Sequence, residues 1–164
     1  MKTFIIAAAA LAANFSAALF STALADEAAD ASAANVELAQ DYIAAYSTFK
    51  TKNMKPFLAD DMVFMDETSP QTILFEGKKA VMDGLGEYSK LYKDFSLDYD
   101  IARRFESNGV VVFIGHVTYA GAGQDGQAFS GTAPIVTAIT IKDGKVVKHA
   151  DYFDYGSNAV DLDE

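Results

Sequence analysis

The chain has 164 residues, 13 basic against 23 acidic, with a formal charge of −10 and a sequence pI near 4.5. That balance repels a phosphate backbone and argues against a nucleic-acid partner, while 51% hydrophobic residues supply the core of one packed domain. The absence of cysteine excludes disulfides, thiolate metal sites and cysteine nucleophiles, and two histidines leave little room for a metal centre other than an all-carboxylate one.

Met1-Lys2 gives a short positive start, and Phe4 to Phe20 is almost wholly apolar. Ala23-Leu24-Ala25 then fits a small-x-small cleavage pattern before Asp26-Glu27. Residues 1–25 are therefore read as an export signal, and the mature protein as periplasmic or secreted, with no membrane attachment once the signal is removed. A retained anchor is the rival reading; an alanine-rich run of this kind falls short of the roughly 20 strongly apolar residues of a membrane span. The small, acidic stretch 26–34 is read as a flexible lead-in. One domain, 35–156, follows, with an acidic tail at 157–164.

From Asn35, a plausible helix cap, Val36, Ala39, Ile43, Ala44 and Tyr46 recur at three- and four-residue steps and predict a helix. Asn53 is read as the cap of a second short helix through Leu58, with Pro56 in its first turn. Met62 to Asp66 and Ile73 to Phe75 are short strand candidates, and Asp60-Asp61 is read as the connection before the first. Lys78 to Tyr92 carries Val81, Leu85, Tyr88 and Leu91 at helical spacing. Longer strands follow: Phe95 to Ser107, Val110 to Tyr119, Ala128 to Ile141 and Lys145 to Tyr155. Asn108-Gly109 and Lys142-Asp143-Gly144 mark tight turns. The glycine-rich stretch Gly121 to Gly126 has neither a lysine nor a following helix, so it is read as a mobile hairpin and not a phosphate cradle. The pattern predicts an α+β fold, a mostly antiparallel, strongly curved sheet closed by about three helices, with a cavity suited to a small molecule.

Tyr42-Ile43-Ala44-Ala45, then Ala59-Asp60-Asp61, then Asp66 resemble the first helix and first strand of ketosteroid isomerases. Ala133-Pro134-Ile135 and Lys145-Val146-Val147 resemble their last hairpin. His149-Ala150-Asp151-Tyr152-Phe153-Asp154 resembles SnoaL-like proteins and limonene epoxide hydrolase. The chain is thus identified with the nuclear-transport-factor-two-like cone fold, over roughly Val36 to Tyr155. The departures are as specific as the matches. Where the resemblance implies a protonated aspartate beside the tyrosine, this chain has Val136. Where it implies an Arg-x-Asp pair, this chain has His116-Val117-Thr118. Neither catalytic arrangement is complete, and fold alone does not fix function.

Asp66 follows Met62, Val63, Phe64 and Met65. An apolar setting disfavours a carboxylate's charge and suits it as a base; the alternative is a solvated turn before Thr68-Ser69-Pro70. Tyr42 is either an oxyanion donor or a core tyrosine. Period-two alternation puts Val147, His149, Asp151 and Phe153 on one face of the last strand, and His116 with Val112, Ile114 and Thr118 on one face of another. A His116–Asp151 pair then stands as an acid–base couple or as a structural hydrogen bond across the sheet. A metal set of His116, His149 and Asp151 lacks a tight ligand spacing. The expected catalytic residues are Asp151, His116, Asp66 and Tyr42, with Asp151 preferred to Asp66 as base. The expected ligand-binding residues are His149, Phe153, Val136, Phe64, Thr118 and Tyr46.

The resulting expectation is an exported, cofactor-free enzyme carrying out isomerisation, dehydration or cyclisation on an apolar, carbonyl-bearing molecule. It is also expected to pair as a homodimer through its sheet. The alternative is a non-catalytic exported protein that holds an apolar ligand in the same cavity.

Overall fold

The computed structural model describes residues 9–69 and 71–152. It divides into two units, residues up to Ala34 and residues from Asn35 on. The described part of the first unit is helical and is the start of α1 (Ala9–Ser47), whose remainder belongs to the second unit. Neither the lead-in nor the Asn35 cap expected from sequence is found, because the helix runs through 26–34 and Asn35. The stretch Ala28 to Ala34 is mostly alanine, the best helix former, and holds no glycine or proline to stop it. Asn35 instead donates from Nδ2 to Glu106 Oε1 at 3.3 Å. Among the described residues no helix is long and apolar enough to cross a membrane.

The second unit continues with α2 (Thr51–Met54), β1 (Leu58–Asp66), β2 (Ile73–Glu76), α3 (Lys78–Leu91), β3 (Lys93–Ser107), β4 (Val110–Ala122), β5 (Ala128–Lys142) and β6 (Lys145–Tyr152). The strands form one curved, open sheet in the order β2-β1-β6-β5-β4-β3. Every pairing is antiparallel except β1 with β6, which is parallel. The α+β architecture agrees with the sequence reading.

The short second helix does not reach Leu58. It ends at Met54, and β1 begins four residues before the expected Met62. Pro56 lies in the turn that closes with Phe57 N–H on the Met54 carbonyl, and Val146 N–H then bonds the Phe57 carbonyl, drawing this segment beside β6. Asp60 and Asp61 therefore lie inside β1, not in a connection. Both are exposed, and β1 shifts register against β6 between Leu58 and Val63. A regular strand cannot turn two successive side chains outward; the irregularity permits it.

The two-residue turns are as expected: Asn108 and Gly109, and Asp143 and Gly144, all hold positive φ. On β3, Phe95, Leu97, Tyr99 and Ile101 are half-buried while Ser96, Asp98 and Asp100 are exposed, as the alternation predicts. Between Ile101 and Arg103 the β3–β4 register slips by one residue. Opposite that bulge a Cβ on Gly115 would lie 2.0 Å from the Asp100 carbonyl oxygen, so only glycine lets the strands approach there. The inner sheet face, carrying Phe64, Val111, Phe113 and Ile139, packs against Tyr42, Ile43 and Tyr46 of α1 and Val81 and Leu85 of α3, all buried in one cluster. At roughly 25 cal/mol per Å2 of buried apolar surface, this cluster is the main force bending the sheet around its inner face.

Candidate active site

β6 supplies the central pair of polar groups. A register slip between Thr140 and Ile141 of β5 places Val146 in the core and leaves Val147 half-buried. Beyond the slip, His149 and Asp151 point inward as the alternation predicts, with exposures of 0% and 3%. Phe153, expected on the same face, lies outside the described residues.

A buried polar group needs a partner, and these have several. Thr137 on β5, the register partner of Asp151, donates from Oγ1 to Asp151 Oδ1 at 2.5 Å. His149 Nε2 lies 2.9 Å from Asp151 Oδ2. That oxygen sits off the ring N–H direction, so Nε2 makes a close polar contact without an aligned hydrogen bond. On the other side of the ring, Nδ1 is 2.9 Å from the Tyr42 hydroxyl. Burial, followed by the nearby Asp151 carboxylate, pushes the Tyr42 phenol well above its usual value of 10.0. Tyr42 therefore keeps its proton, and its hydroxyl shares one hydrogen bond with Nδ1. Tyr46 and Phe64 enclose the imidazole, with ring centroids 4.7 and 4.8 Å away.

A second phenol approaches Asp151 from β3. Burial, then Asp151, again holds the Tyr99 phenol well above its usual range. Thr137 directly, and His149 with Tyr42 behind it, thus approach one carboxylate.

Asp151 also borders a cavity of about 430 Å3 on the inner face of the sheet. The walls are aromatic and aliphatic, including Tyr46, Phe64, Phe75, Phe95, Tyr99 and Phe129. Asp66, Thr68 and Ser69 lie at the same cavity from β1 and the turn after it. Asp66 combines both roles weighed from sequence. Its Oδ1 accepts from the Thr68 N–H at 2.8 Å and the Thr68 hydroxyl at 2.6 Å, which shapes the turn, while the residue lines the cavity. In the parallel β1–β6 pairing Asp66 is the register partner of Asp151, so both carboxylates come off the same face of adjacent strands.

Several expected site residues lie elsewhere. His116 and Thr118 are exposed on the outer face of β4, while Val111, Phe113 and Val117 turn inward. The expected phase of β4 was one residue off, which moves every side chain to the opposite face. There is accordingly no His116–Asp151 couple, and His116, His149 and Asp151 do not converge as a metal set. Thr118 instead bonds Thr132 across the outer face at 2.9 Å. Val136, the register partner of Ile114, also belongs to the outer face, and the inward residue is its neighbour Thr137. Tyr42 and His149 do not line the cavity; they stand behind Asp151 in the core. Tyr46 and Phe64 do line it. Thr137 and Tyr99 were not anticipated as site residues. The alternation Ile135, Thr137, Ile139, Ile141 carries the signal for the first, and the inward run Phe95, Leu97, Tyr99 for the second.

Residues 39–149 match the family model of the SnoaL-like domain. The chain belongs to the SnoaL-like family. Solved structures agree in fold. A protein of Shewanella putrefaciens assigned as a SnoaL-like polyketide cyclase is 22% identical, with a TM-score of 0.62, covering 76% of this chain and 82% of its own. Its counterpart from Shewanella denitrificans is also 22% identical with a TM-score of 0.62, over 76% of this chain and 93% of its own. An NTF2-like protein of Anabaena variabilis is 14% identical with a TM-score of 0.58, over 73% and 89%. No curated protein matches the chain. The SnoaL-like domain here thus has the cone fold that its first helix and last strand implied, with a small-molecule cavity whose chemistry must be argued from its own residues.

Proposed function

We propose that this SnoaL-like domain is an exported, cofactor-free acid–base enzyme acting on an apolar, carbonyl-bearing small molecule. One observation carries the reading: Asp151 is buried with donors on its inner side and borders an aromatic-lined cavity. A substrate carbon acid beside Asp151 gives its proton to the carboxylate, and the electrons move onto the carbonyl oxygen. Tyr99, Tyr46 and Tyr119 also line the cavity, and Tyr46 and Tyr99 are held in their neutral, donating form, so a phenol can stabilise the resulting enolate. Return of the proton to another carbon completes an isomerisation; loss of a β-hydroxyl completes a dehydration. Asp151 is preferred over Asp66 as base because only Asp151 is backed by a histidine. The proposed enzyme works as a homodimer joined through the outer sheet face, and residues 1–25 are its cleaved export signal.

The test is a screen of enones, epoxides and β-dicarbonyls, followed by comparison of Asp151→Asn and Asp66→Asn at matched circular dichroism. Removing the base is expected to lower kcat by at least about a hundredfold. Activity that survives Asp151→Asn and collapses in Asp66→Asn reverses the assignment. Intact mass of exported protein and its molar mass in solution test the signal and the dimer. The competing reading is a binding protein that holds the ligand without turnover. It is supported by Tyr42, the expected oxyanion donor, being turned away from the cavity onto His149.

A further inference from the structure

We infer that the ligand of this cavity carries a protonated amine, held at Asp66 beside Asp151, with its apolar body among the aromatic rings. The inference rests on the cavity being the working site and adds the charge of what occupies it.

The cavity lining includes two carboxylates, Asp66 and Asp151, and no lysine, arginine or histidine among the described residues. An anionic ligand would therefore meet only like charge. The two aspartates are register partners on adjacent parallel strands, whose backbones run about 5 Å apart. They differ in what balances them. Asp151 has His149 and Thr137 on its two oxygens. Asp66 has only the neutral donors of Thr68, both on Oδ1. No described residue donates a hydrogen bond to its Oδ2. Among the described residues lining the cavity, no cationic side chain stands beside the two carboxylates.

A ligand ammonium supplies the positive charge that this lining lacks. It can donate a charge-assisted hydrogen bond to Asp66 Oδ2 while lying against ring faces, which attract cations. Tyr46, Phe64, Phe75 and Tyr99 line this part of the inner face. A neutral ligand of the same shape gains only the apolar contacts. The formal charge of −10 adds long-range attraction for a cation approaching the mouth.

The probe set is benzylammonium, its neutral isostere ethylbenzene, and phenylacetate, each titrated into the full folded domain with binding read by NMR shifts of the cavity aromatic rings. Cation–ring attraction and the added charge pairing predict at least tenfold tighter binding for the ammonium than for the isostere, and weaker binding still for phenylacetate. Raising salt to about 0.5 M should narrow the gap, since the mouth is open to screening. Asp66→Asn keeps an acceptor for Thr68 and should also narrow it. Equal or tighter binding of the isostere or of phenylacetate to the unaltered domain overturns the inference whatever the variant does. An ammonium preference untouched in folded Asp66→Asn also overturns it. Ammonium-selective binding by a domain that turns over none of the screened carbonyl compounds upholds this inference and overturns the enzyme reading alone. Turnover without an ammonium preference does the reverse.

Discussion

His149 Nε2 lies 2.9 Å from Asp151 Oδ2, yet the oxygen sits off the ring N–H axis. The imidazole is therefore oriented chiefly from its other side, by the Tyr42 hydroxyl on Nδ1. Tyr42→Phe keeps the buried ring and removes only that anchor. The expected outcome is a loss of about 1–3 kcal/mol of stability, the cost of leaving a buried polar atom unpaired. Urea denaturation measures it. Nitrogen NMR of His149 should also show a changed tautomer balance in the variant relative to the parent.

Thr137 is the direct donor to Asp151, so its hydroxyl is tested separately from its shape. Thr137→Val preserves volume and branching but deprives a buried carboxylate of one donor. A loss of roughly 1.5–3 kcal/mol is expected, as for hydrogen bonds to charged groups. Thr137→Ser keeps the hydroxyl and should recover most of it, apart from a small packing term. Equal losses in the two variants would show that the methyl group and not the hydroxyl matters.

Three phenols, the buried Tyr42 and Tyr46 and the half-buried Tyr99, are held well above 10.0, first by burial and next by Asp151. The unfolded chain releases these protons near pH 10 while the folded chain retains them. The unfolded state thus binds fewer protons above that pH, and stability falls as pH rises. Below about pH 10 the contribution is fully present. Alkaline titration followed at the tyrosinate absorbance should show these phenols ionising only with loss of fold, in one cooperative step. Smooth ionisation of all 8 tyrosines with the fold intact would contradict the arrangement.

Gly115→Ala tests the bulge that bends β3. A Cβ at this position meets the Asp100 carbonyl oxygen at 2.0 Å and the Ala102 nitrogen at 3.1 Å, both backbone atoms that cannot swing aside. The strands must separate locally, at a cost of roughly 1–3 kcal/mol or more. Gly86→Ala, where the nearest atom is 3.9 Å away within α3, should be neutral or stabilising. Thermal melts of the two variants give the comparison.

The fold was legible because its local signals agree. Asn108-Gly109 fixes a hairpin, and Phe95 to Ile101 alternates without a break. The site was legible only where the phase of a strand was unambiguous. On β6 a single histidine and a single aspartate two residues apart set the inward face. On β4, Val110 to Ile114 is apolar at every position, so both faces look buried and the pattern does not choose between them. The polar residues His116 and Thr118 mark the solvent side, whereas pairing His116 with Asp151 required them inside. Val136 was one residue from the inward Thr137 for a similar reason: a matching family position carries no information about this chain's own register. The slips near Ala102 and Val147 are not legible in composition, because they arise from strand pairing.

The parallel pairing of β1 with β6 has a consequence in time. Asp66 leaves the first strand and Asp151 the last, so a nascent chain holds only half of the carboxylate pair until β6 has been synthesised. Closing so long a loop is entropically costly and tends to come late in folding. A chain stopped before Lys145 can still form the hairpins of β3, β4 and β5, but it has no second carboxylate and no histidine behind it. Pairing of the two carboxylates therefore waits on β6, however well the hairpins before it have formed.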